Sequence, residues 1–148
     1  MGDDGIGWRL FEHLRVHGGL PQGWDLLFAG TDLLAVAGEM EGRQYVVLAD
    51  AMESRAPAGT VEIMEADEFA GVADSAGAHQ LAAVEALRLI QLTSDGVRRV
   101  RFLLFGIAVE TVRCADNLSP QLEASFPEIV RALLTLARKI SRTHPHRP

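Results

Sequence analysis

The chain has 148 residues, of which 48% are hydrophobic and 23% charged, with a formal net charge of -6. That length buries a full core and reads as one domain, residues 1–142, followed by a flexible tail at 143–148. The acidic balance argues against a general nucleic-acid binder, which carries a basic face. No apolar run reaches membrane-spanning length. A single cysteine, Cys114, leaves no internal disulfide. Together with the opening Gly2-Asp3-Asp4-Gly5, which cannot form the apolar start of a secretory signal, it implies a reducing, cytoplasmic setting.

From Asp4 to about His17 the pattern is helical, because Ile6, Leu10 and Leu14 lie four apart and share a face. Gly18-Gly19 stops this helix and Pro21 prevents its resumption. Trp24 to Ala29 reads as a short strand. Thr31 suits the N-cap of a second helix carrying Leu33, Leu34 and Val36. Tyr45 to Ala49 is an apolar run of the kind found in a parallel strand covered on both faces, and it ends at Asp50.

Ala56-Pro57-Ala58-Gly59 is a turn, and Thr60 to Met64 alternates like a half-exposed edge strand. A loose stretch is expected from Ala66 to Ala78. His79 to about Leu92 is a helix with Leu81, Val84 and Leu87 inward, and Arg101 to Ile107 is the last strand. Ser119-Pro120 starts the final helix, which Pro127 should break or restart. The alternation of strands and helices indicates an α/β fold. The expected form is a three-layer sandwich, with a twisted, mostly parallel sheet, helices on both faces and one antiparallel edge strand.

In such sheets ligands bind beyond the carboxyl ends of the strands. Three groups gather on that edge: Asp4 at the turn entering the first helix, Asp50 after the apolar strand, and His79 at the start of the long helix. Two carboxylates and an imidazole suit zinc, nickel or a similar divalent ion, with positions left open for water or substrate. Each residue also has a structural reading. Asp3 or Asp4 suits a helix cap, Asp50 suits a strand-to-loop turn, and a lone His at a helix start is commonly a hydrogen-bonded side chain. Cys114 is a weaker candidate, as a reactive thiol between Arg113 and Asp116. No dinucleotide fingerprint follows a strand, and Ser54, Ser75 and Ser94 lack a nucleophile-elbow context.

Taken in order, these pieces resemble the hydrogenase maturation endopeptidases, which process the large-subunit precursor of nickel-iron hydrogenases. Gly2-Asp3-Asp4-Gly5-Ile6-Gly7 is similar to the family's acidic turn, and Gly30-Thr31 before Leu33-Leu34 to its Gly-Thr segment. Ala49-Asp50-Ala51, His79-Gln80-Leu81, Gly106 to Glu110 and Leu118-Ser119-Pro120 match in turn. The resemblance implies that Asp4, Asp50 and His79 form a metal-binding trio. It also implies removal of a C-terminal peptide from the precursor only after nickel insertion. The nickel would come with the precursor, and zinc or another divalent ion would occupy the site in vitro.

Two departures accompany the resemblance. The family begins with an apolar strand and a Gly-Asn-containing turn ahead of the acidic residues, so Met1 is expected to be an internal methionine. Many relatives also carry Asp where Phe28 stands. Two other functions fit the same residues. One is a non-catalytic nickel-checking or assembly factor that binds the precursor, and the other is a hydrolase with its own bound metal.

Overall fold

The computed structural model describes residues 5–70, 78–110 and 117–145, with the backbone alone for 69, 70 and 78–81. Helix α1, Ile6–His17, buries the stripe predicted from spacing: Ile6, Leu10 and Leu14 are all inside. It stops at Gly18, whose φ of 68° is left-handed and whose N–H donates to Leu14 O at 2.8 Å.

The expected strand at Trp24–Ala29 does not form. A strand exists through its ladder, and this segment is held by side chains instead. Trp24 Nε1 donates to Ser141 Oγ at 2.8 Å, and Asp25 pairs with Arg43. The helix expected after Thr31 is reduced to a 3-10 turn, Leu34–Val36, and the single turn α2, Ala37–Met40. Asp32, rather than Thr31, supplies the cap, with Oδ1 accepting from Ala35 N at 3.2 Å.

Strand β1, Tyr45–Glu53, runs three residues past Asp50, because its parallel pairing with the last strand continues to Glu53↔Val109. Strand β2, Val61–Glu65, is the antiparallel edge strand predicted from its alternation. The stretch after it is not loose at first. Helix α3, Ala66–Ala70, starts at once, and the Glu68 carboxylate accepts from Glu65 N at 3.2 Å. Helix α4, Ala78–Thr93, buries Val84, Leu87 and Ile90. Strand β3, Arg101–Val109, is buried at every position after the first.

Helix α5, Pro120–Thr143, starts as expected. Ser119 Oγ accepts from Leu122 N at 3.3 Å, and Pro120 takes the first helical turn. Pro127 neither breaks nor restarts it. The ring removes the bond that residue 127 would give to the Glu123 carbonyl, but Phe126, Ile129 and Val130 are anchored in the core on either side. The helix runs to Thr143, and the His144 ring packs on Tyr45 with centroids 5.1 Å apart.

The sheet has the order β1-β3-β2, so β3 is central. Its alternate residues face two separate cores. Phe105, Ile107 and Val109 pack with α1 and α5, while Phe102 and Leu104 pack with α2 and α4. The result is the expected helix–sheet–helix sandwich. At the lower end Arg101 spans the sheet: it donates to Tyr45 Oη of β1 at 2.7 Å and pairs with Glu65 of β2. The paired Glu65 raises the Arg101 pKa further above its ordinary value. Among the described residues, no helix is long and apolar enough to cross a membrane.

Gly59 joins the turn before β2 to α5. Its φ is 91°, and a Cβ there would lie 2.4 Å from both Cβ and Oγ of Ser125. Gly59→Ala therefore meets left-handed strain and overlap together. We expect it to cost about 2–3 kcal/mol, read as a lower urea midpoint with unchanged slope. Ser119→Ala removes the cap and should cost about 1 kcal/mol or more in the same measurement.

Candidate active site

Strand β1 delivers Asp50 into a cleft of about 1340 Å³. Consecutive residues from Tyr45 to Ala51 line it, so the strand presents its edge rather than one face. The irregular segment 22–31 forms the opposite wall. Leu133, Leu136 and Ala137 of α5 close one side, and Ala82, Ala83 and Ala86 of α4 the other.

Asp50 is half-buried, and its Oδ1 accepts from Ala51 N at 2.8 Å. Its ladder neighbour is Gly106, so β3 sets no side chain beside the carboxylate. The first turn of α1 lies against the same end of β1. A Cβ on Gly7 would be 3.6 Å from Ala49 O, in ordinary contact, and Ile6 packs in one core with Ala51. Gly5 is buried and lines the cleft.

Of the three predicted ligands, Asp50 is therefore in the cleft. Asp4 lies outside the described residues, and its neighbour Gly5 is the first described residue of the cleft wall. His79 is the second residue of α4; its side chain also lies outside the description. Ala82 and Ala83, three and four positions further on, line the cleft. Among the described residues no three His, Cys, Asp or Glu side chains are grouped to hold an ion. Asp4 and the His79 side chain are not among those residues.

The other nucleophile candidates have ordinary partners or lie outside the description. Ser54 Oγ accepts from Ala56 N at 3.1 Å, and Ser94 Oγ donates to Glu41 at 3.1 Å. Cys114 and Ser75 lie outside the described residues. An aromatic cluster at the cleft was missed from the sequence. Phe28 packs edge-on against Trp8 at 4.8 Å and beside Phe11 at 5.6 Å. Trp8 and Phe11 sit three apart on α1, a spacing that places them on neighbouring positions of one face. Their partner, in an irregular segment, has no periodicity to betray it. Where the resemblance leads one to expect a carboxylate, Phe28 thus supplies apolar surface, with 46% of it exposed.

Comparison with known proteins agrees with this architecture. A family model for hydrogenase maturation protease matches residues 8–136, a span that includes Asp50 and His79 and begins after Asp4. The Hydrogenase 2 maturation protease of Escherichia coli is 27% identical over 93% of this chain and 84% of its own length. Protein FrxA of Pyrococcus furiosus is 24% identical, covering 94% of this chain and 98% of its own. The structure of the hydrogenase maturating endopeptidase HybD from Escherichia coli superposes with a TM-score of 0.76 at 25% identity, covering 94% and 86% of the two chains. The [NiFe] hydrogenase maturation protease HybD from Thermococcus kodakarensis gives the same TM-score at 24% identity, covering 93% and 91%. On the strength of the family match across most of its length, the chain belongs to the hydrogenase maturation proteases, peptidases that process hydrogenase precursors.

Proposed function

We propose that this peptidase removes the C-terminal extension of a nickel-iron hydrogenase large-subunit precursor after nickel has been inserted. In this reading Asp4, Asp50 and His79 engage the nickel held by the precursor. The observation that carries it is the position of Asp50. It lies in a cleft also lined by Gly5, next to Asp4, and by Ala82 and Ala83, the third and fourth residues after His79.

The chemistry follows from the donor set. Carboxylates and an imidazole are hard to borderline ligands, matched to a divalent nickel that keeps open coordination positions. Binding the metal would fix the precursor against the cleft and orient its extension along the β1 edge, which is an entropic contribution to cleavage. A precursor without nickel would lack that anchor. The metal would then act as a checkpoint, and a Lewis-acid contribution to polarising the scissile carbonyl is consistent with the same contacts.

Incubation with nickel-loaded and nickel-free precursor, followed by intact-mass measurement, tests this. The loaded precursor alone should lose its C-terminal peptide. His79→Ala should abolish the loss, and Asp50→Asn should slow it about a hundredfold, with circular dichroism confirming that both variants fold. Unchanged processing by His79→Ala would reject the trio. Binding of the precursor by the wild-type protein without any change of mass would reject cleavage.

A further inference from the structure

Helix α1 carries a second constellation on the side away from the cleft. His13 and His17 are four residues apart, so they stand one above the other on one helix face. Their rings are stacked, with centroids 4.3 Å apart and planes inclined by 22°. His17 Nδ1 lies 3.0 Å from the His13 backbone carbonyl. A carbonyl only accepts, so Nδ1 carries the proton and the neutral ring keeps its lone pair on Nε2. Ligating histidines characteristically have one ring N–H fixed in this way on a backbone carbonyl.

The surroundings leave room for a cation and set no unpaired arginine against it. The pair borders an open cleft of about 660 Å³, whose far wall is Phe126, Pro127 and Val130 of α5. The Phe126 ring meets His13 edge-on at 5.5 Å, which limits the ring's freedom. The charge of Arg9, on the same helix, is matched by a two-bond pairing with Glu123 at 3.0 and 3.2 Å. Arg15 is likewise paired with Glu12. The cations nearby are thus compensated.

We propose that His13 and His17 form a surface site for a borderline divalent cation of the nickel, copper or zinc class. Metal–imidazole bonds of about 2.0–2.1 Å set two adjacent ligand nitrogens about 3 Å apart. With His17 held through Nδ1 on that carbonyl, rotation of the His13 ring about χ2, a soft torsion for an imidazole, brings one of its nitrogens toward His17 Nε2. Water fills the remaining positions. Two ligands on one rigid helix make the second bond intramolecular, which is the source of affinity.

Calorimetric titration of the full-length protein with nickel chloride at pH 7.5 tests the site. His79→Ala, which disrupts the proposed catalytic trio, should leave this binding event in place. His13→Gln and His17→Gln should each weaken it roughly a hundredfold. Both residues are at the surface or half-buried, so the folds should be retained, and circular dichroism checks this. Ring proton resonances of His13 and His17 should broaden at substoichiometric nickel. Equal nickel affinity in the wild type and both Gln variants, or no binding by the wild type, overturns the proposal. Loss of binding on His79→Ala alone would overturn it too, while leaving the proposed function intact.

Discussion

The fold depends on one strand being buried from both sides. Every layer touches β3: β1 and β2 through its two hydrogen-bonded edges, α1 and α5 through Phe105, Ile107 and Val109, and α4 through Phe102 and Leu104. Because the side-chain period of a strand is two, a slip of one residue would exchange those sets and leave both cores mismatched. The register with β1 is therefore fixed by packing on two faces at once. That register sets Asp50 opposite Gly106, at the end of β1 that lines the cleft.

The parts legible in the sequence are those written as periodicity. The stripe Ile6, Leu10, Leu14, the inward Val84 and Leu87 of α4, the alternation of β2 and the Ser119-Pro120 start each express one local rule, and the structure keeps them; the Leu81 side chain lies outside the described residues. The misreadings came where tertiary packing outweighed a local signal. Pro127 is a strong helix breaker in isolation, yet it sits between Phe126 and Ile129, both held in the core. Trp24 to Ala29 has strand-like residues but no ladder, and a ladder is a property of two segments. Polarity places the end of β1 at Asp50, whereas backbone pairing carries the strand to Glu53. The place of Asp50 in the cleft is legible from its position at the end of an apolar run. The aromatic cluster is not, because Phe28 lies in a segment without a period.

At 24–27% identity to its relatives, the chain preserves an architecture more than a set of residues. What this chain builds is two apolar layers against one sheet, with the end of β1 and the start of α1 at one cleft. Replacement of an expected carboxylate by Phe28 removes charge and adds an aromatic surface shared with Trp8 and Phe11.

Strand β1 is an edge strand whose only ladder among the described residues is with β3. Exposed edges of this kind template pairing with other chains. Here the edge lies at the bottom of a recess, between α4 on one side and α5 on the other. The β1 edge is thus bordered by helices α4 and α5 rather than by another described strand.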